Sequence, residues 1–186
     1  MKIYPLLVAC SLGLATYTFT PKAEAHKHFN KFENISKSEK ITEEGYEILK
    51  NDDYIGASEK FTEALDINTK NKFALLLRAF SKKEIKDYES ALKDVNNILK
   101  IDSEYNYAAL VLRAWVHINL GNYPEAIDDY SQLIAYDTYL KDSYGNRGFL
   151  KDIMKDMKGA CSDWQKGGEL GNEKASSAFE NHCKTV

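Results

Sequence analysis

The stretch Leu110-Val111-Leu112-Arg113-Ala114-Trp115-Val116-His117-Ile118-Asn119-Leu120-Gly121-Asn122-Tyr123-Pro124-Glu125-Ala126-Ile127-Asp128-Asp129-Tyr130 decides the fold of this chain. It opens with a run free of helix breakers. Gly121-Asn122 then makes a turn, and Pro124 stands in the first turn of a second helix. The whole reads as two antiparallel helices. Ala114 and Ala126 are small enough to let the two backbones approach, while Leu110, Tyr123 and Tyr130 fill the space on either side.

The same figure recurs along the chain. Ala114 has counterparts in Gly45, Ala79 and Gly148, at spacings of 34, 35 and 34 residues. Ala126 has counterparts in Ala57, Ala91 and Ala160, with the same spacings and the same one-residue slip. Tyr54, Tyr88, Tyr123 and Met157 stand three residues before these alanines, and Phe61, Val95, Tyr130 and Trp164 stand four after. Ile41, Leu75, Leu110 and Tyr144 precede the small residues by one helical turn. A lone helical hairpin leaves one apolar face wet, so such units stack. A charge pattern shares the register. Glu44, Arg78, Arg113 and Arg147 come just before the small residues, and Lys60, Asp94, Asp129 and Asp163 come three after the alanines. The sign reverses at both places in the first unit, as expected if the two sites touch across the hairpin.

Over residues 38–174 these segments resemble tetratricopeptide repeats. The resemblance implies an all-α, right-handed superhelical solenoid of about four helix-turn-helix units, at 38–71, 72–106, 107–140 and 141–172, with a C-terminal capping helix at 173–184. The family's late second-helix alanine is matched only by Ala64, with Ile98, Leu133 and Gly167 elsewhere, and Thr69, Ser103 and Thr138 stand where a proline is usual. Members of this family bind proteins or peptides on the face made by the first helices. In this chain an aromatic follows each small residue: Tyr46, Phe80, Trp115 and Phe149. Together with Phe73, Leu76, Val111, Ile118 and Asn119 they are the candidate groove residues. The rings either meet a ligand or fill gaps between neighbouring first helices. Where some relatives hold a peptide's terminal carboxylate with Lys, Asn and Arg, this chain has Thr42, Tyr46, Leu77, Ala108 and Leu112, so an apolar or aromatic-contacting segment is the expected ligand.

The ends carry separate signals. Lys2 precedes an apolar run, Ile3–Phe19, and then Pro21 and the small pair Ala23 and Ala25. Residues 1–25 read as a signal peptide cleaved after Ala25, which places the mature chain in the periplasm or outside the cell. An uncleaved anchor, or lipidation of Cys10 in Leu7-Val8-Ala9-Cys10, are the alternatives. Otherwise no membrane attachment is expected. Residues 26–37 read as a flexible polar connector. At the far end Gly171-Asn172 marks a helix stop and restart. Cys161 and Cys183 lie on either side of it, at distances that bring them together in a hairpin, and an exported protein meets oxidising conditions, so a disulfide is expected. The run Gly159-Ala160-Cys161-Ser162-Asp163-Trp164 through Leu170-Gly171-Asn172 to Cys183 also resembles the terminal repeat of exported bacterial members of the family.

Chemistry is sparsely signalled. There is no phosphate loop, zinc helix, nucleophile elbow or Cys-x-x-Cys, so neither an enzyme nor a cofactor is read from the chain. A net charge of −3 without a basic block argues against nucleic acid. His26 and His28 would form a metal-binding amino terminus after cleavage or else a solvated tail; His117 reads as packed, and His182 beside Cys183 as ordinary surface. The leading expectation is an exported protein-binding scaffold. A structural subunit of an envelope assembly comes second, and a small metal-binding or enzymatic helical protein third.

Overall fold

The structure, a computed structural model, describes residues 21–101, 106–136 and 140–184. Among these lie nine helices and no strand: α1 (Pro21–Leu49), α2 (Tyr54–Ile67), α3 (Lys72–Glu84), α4 (Tyr88–Lys100), α5 (Asn106–Leu120), α6 (Tyr123–Ala135), α7 (Leu140–Ile153), α8 (Met157–Glu169) and α9 (Glu173–His182). The apolar run Ile3–Phe19 and Cys10 lie outside the described residues. Asn34–Val186 forms one compact unit, and the stretch before Asn34 belongs to another. Residues 26–37, expected as an irregular connector, are instead helical and lie within α1. From Lys22 to Glu44 there is no glycine or proline to stop a helix. The polar sequence there reflects exposure, at Asn30–Asn34 for example, and not a lack of helix.

Within the compact unit each helix from α2 onward packs on the next. First helices of neighbouring hairpins also meet, α3 on α5 and α7 on α9. This is a helical-repeat solenoid. The alanines Ala57, Ala91, Ala126 and Ala160 are wholly buried at the crossing points. In the first and fourth hairpins a ring lies directly on the small residue of the first helix, which is glycine in both. A Cβ on Gly45 would lie 2.7 Å from Phe61, and one on Gly148 would lie 2.6 Å from Trp164, both inside contact distance. The hairpin turns repeat as well. Asp52, Lys86, Gly121 and Lys155 all adopt left-handed backbone, with φ of 59°, 64°, 76° and 66°. The next residue, Asp53, Asp87, Asn122 or Asp156, caps the second helix. The three carboxylates accept from the amides of Gly56, Ser90 and Gly159; Asn122 makes no such bond.

Arginine ties the hairpins to one another. Arg78 grips Asp94 with two hydrogen bonds of 2.8 and 2.7 Å, and Arg147 grips Asp163 in the same way at 2.8 and 2.7 Å. Arg113 holds Asp129 at 2.5 Å. The remaining guanidinium nitrogen reaches back to the preceding second helix: Arg78 to Thr62, Arg113 to Asn96, Arg147 to Ser131. The carboxylates are buried, with side-chain exposures of 2, 1 and 5%, so these are not exposed surface pairs. In the first hairpin Lys60 and Glu44 lie 3.6 Å apart, both substantially exposed.

A second cation distinguishes the sites. Lys82 adds a bond to Asp94 and Lys151 one to Asp163. His117 holds that register in the third hairpin, and no lysine reaches Asp129 among the described residues. Burial pushes Asp163 up, but Arg147 and Lys151 outweigh it and hold the carboxyl below its usual value of 3.8. At Asp129 burial outweighs Arg113 and the pKa is raised. The two sites thus respond to acid in opposite directions. Asp163 contributes stability that is present above about pH 4 and is lost as pH falls through its lowered value. Asp129 favours the folded state when protonated, and that contribution fades as pH rises through its raised value.

The array ends at α9. Asn172 caps it and donates to the Lys141 carbonyl and to Asp142, much as Asn71 caps α3 and donates to Ser38 and Thr42. α9 therefore takes the place of a fifth first helix. However, exposed Ser176 and Glu180 stand at the positions that Leu75 and Ala79 occupy in α3, so its outer face is polar where that of α3 is apolar. It buries only Ala175 and Ala178, with Phe179 and Cys183 partly covered. The Cys161–Cys183 disulfide, with Cα atoms 5.7 Å apart, fastens it to α8.

The buried pairs and the disulfide can each be tested by stability. Asp163→Ala leaves Arg147 and Lys151 without their counter-charge and lowers unfolding stability by about 3 kcal/mol, read by denaturant titration at pH 7. In a stability profile from pH 5 to 2, Asp163→Asn removes part of the acid-induced loss, whereas Asp129→Asn does not. Reducing the disulfide releases the 22-residue closure and costs about 3 kcal/mol; hydrogen exchange then shows α9 opening first, with α3–α6 still protected.

Candidate functional site

The first helices carry apolar side chains that the fold does not fully cover. α3 supplies Leu76, Leu77, Phe80 and Lys83, and α5 supplies Tyr107, Ala108, Val111, Leu112 and Trp115. Between them lies an open cavity of about 380 Å³. The spacing explains the convergence. Leu76, Phe80 and Lys83 fall on one face of α3, and Tyr107, Val111 and Trp115 on one face of α5. Trp115 is 52% exposed although its cavity neighbours are partly or wholly buried. The Lys83 ammonium lies 4.6 Å from the Phe80 ring centre and 5.0 Å from that of Trp115, spanning the two helices. It also pairs with Glu84 at 2.5 Å.

Of the nine groove candidates, Leu76, Phe80, Val111 and Trp115 meet in this cavity. The others do not join them. Tyr46 stacks at a tilt on Phe73, 6.4 Å between centres, and Phe73 lines a separate cavity whose other lining residues are polar, Glu39, Glu43 and Lys70 among them. Ile118 packs against the core around Leu110 and Leu133. Asn119 accepts from the Tyr88 hydroxyl and donates to the Trp115 carbonyl. Phe149 packs on Trp164 at 5.3 Å and borders a shallow cavity with Ser177 and Ala178 of α9. Some rings therefore fill gaps between helices while others face open space. Lys83 and Tyr107 were missed by sequence reasoning, although each lies one helical turn from a recognised groove residue on the same face.

The remaining reactive groups are accounted for by structure. Cys183 is disulfide-bonded, so it offers no thiol beside His182, and the His182 ring lies against Trp164 at 5.9 Å. The His117 Nδ1 is buried without a hydrogen-bond partner. Among the described residues no group of three His, Cys, Asp or Glu side chains is placed to hold a metal, and no helix is long and apolar enough to cross a membrane.

No protein-family model matches the chain. It is 34% identical over 110 residues, 57% of its length, to the DnaJ homolog subfamily C member 7 homolog of Schizosaccharomyces pombe, and covers 23% of that protein. It is 28% identical over 104 residues, 55% of its length, to the small glutamine-rich tetratricopeptide repeat-containing protein 2 of Saccharomyces cerevisiae, and covers 29% of it. The chain thus spans less than a third of either relative. Its fold is that of a tetratricopeptide repeat protein from Parabacteroides merdae, with TM-score 0.69 at 21% identity over 75% of this chain and 56% of that one. MamA from Desulfovibrio magneticus is likewise similar, with TM-score 0.68 at 14% identity over 78% and 92%. Recurrent hairpins in one register and these structural neighbours give the chain the tetratricopeptide-repeat fold, and its sequence is similar to that of a repeat-containing relative.

Proposed function

We propose that the chain is an exported interaction scaffold that holds a protein or peptide partner on its first-helix face. One observation carries the reading: an apolar cavity between α3 and α5, with Trp115 half exposed beside it, is left open while Leu110 and Ala114 of the same helix are fully buried. Open apolar cavities with a few rings at their edge suit ligand side chains, and aromatic residues bring large contact area at low entropy cost. The disulfide supports an oxidising compartment, and the apolar Ile3–Phe19 segment with Ala23 and Ala25 supports export. The arrangement suggests holding and not chemistry, because the cavity walls carry no nucleophile, acid or base beyond the tyrosine and lysine at its rim.

The test is affinity capture from the native envelope with wild-type and Phe80→Ala/Trp115→Ala proteins, with melting temperature as the folding control. Loss of two ring contacts weakens retention of the specific partner by a factor on the order of 30, while Ile55→Ala, on the exposed side of α2, leaves it unchanged. Equal capture by the folded double variant would remove the groove from the mechanism.

A further inference from the structure

We infer that the α3–α5 cavity accepts an uncharged apolar side chain from a partner's chain, not a terminal carboxylate, and that the Lys83–Glu84 pair sets this choice. The inference rests on the scaffold reading and narrows it to one cavity and one ligand chemistry.

Charge decides the matter. Leu76, Leu77, Ala108, Val111 and Leu112 give the cavity carbon walls. A carboxylate entering it sheds water and finds only the neutral donors of Tyr107 and Trp115 and the already paired Lys83 among the lining side chains, and an ionised group buried without a balancing charge is strongly disfavoured. Lys83 is the one cation among the described lining residues, and its charge is already engaged. Glu84 neutralises it at 2.5 Å, two aromatic faces flank it, and its side chain is only 15% exposed. A lysine so held presents little free charge to an incoming anion. A residue flanked by peptide bonds carries no such charge; it can place an apolar side chain against the carbon walls and leave its own amides toward water. The volume, about 380 Å³, lies within the range of ligand cavities. Lys83 has a second part, as a positioning residue. Its ammonium lies over one ring from each helix, so it holds Phe80 and Trp115 in fixed relation.

The two tryptophans make the test direct. Trp115 lines the cavity at 52% exposure, whereas Trp164 is 1% exposed beneath Gly148, so their indole N–H signals serve as reporter and control. The intact protein is titrated by NMR with N-acetyltryptophanamide and with N-acetyltryptophan, which differ in the terminal amide against a carboxylate. The amide shifts the Trp115 signal saturably and leaves Trp164 in place; the acid binds at least about fivefold more weakly. Glu84→Gln releases the Lys83 charge and narrows that gap, a change that a purely structural role for the pair does not produce. Lys83→Met weakens the amide about threefold or more, Lys83→Arg retains it, and melting temperatures confirm that all variants fold. An acid that binds as tightly as the amide, or a gap unmoved by Glu84→Gln, overturns the inference. If neither probe shifts Trp115, the cavity is not the site and the inference fails; partner capture then decides separately whether any other part of the first-helix face serves.

Discussion

One guanidinium in each of the second, third and fourth hairpins does two jobs at once. Arg78, Arg113 and Arg147 close their own hairpin on a buried aspartate and reach the preceding hairpin through Thr62, Asn96 and Ser131. A planar group with several donors in a fixed fork can grip a carboxylate with two bonds and still reach a second acceptor. The buried carboxylate makes the arrangement strict, because a charge at that depth is tolerated only when paired. Spacing between hairpins is thereby fixed by geometry as well as by apolar contact, and the wholly buried alanines set how closely the helices approach.

This placement leaves the first-helix face free. The ion pairs, the aspartate caps and the alanine crossings all lie between helices or at their turns. The residue directly after each small position points elsewhere, so its identity is not dictated by closing the hairpin. That residue is aromatic in all four repeats, yet the four rings have different fates. Phe149 rests on Trp164 and Tyr46 on Phe73, while Phe80 and Trp115 border open space. The same sequence position therefore supports the solenoid at its ends and faces the open cavity in its middle.

Most of the fold was legible because two independent small-residue series shared one slip of a single residue. The charge reversal at Glu44 and Lys60 located a contact across the hairpin from sequence alone. The features that escaped notice had physical reasons. Asp52, Lys86 and Lys155 adopt left-handed backbone without being glycine, so the handedness there, unlike that at Gly121, could not be read from residue type. Residues 30–37 lack an apolar period because they are largely solvated, and periodicity reports burial, not helicity. Lys83 was overlooked because a lysine on an amphipathic helix is ordinarily a solvated one. Its contacts with rings on two different helices become visible only when α3 and α5 are brought side by side.

The two faces of the third hairpin's first helix show how far local chemistry can vary within a fixed frame. His117 stands where Lys82 and Lys151 stand in the neighbouring hairpins, and Asp129 is left with Arg113 as its close cation, which is why burial raises its pKa while two cations lower that of Asp163. On the other face of the same α5 helix lie Val111 and Trp115, lining the cavity. α5 is thus the helix whose ionic anchoring is lightest among the arginine-bearing first helices and whose outward face is most open. A repeat array carries contacts mainly between neighbours, so weakening at one hairpin is felt locally and need not spread. The cavity lies at this joint, and the second and fourth hairpins, on either side of the third, are each held by arginine and lysine together.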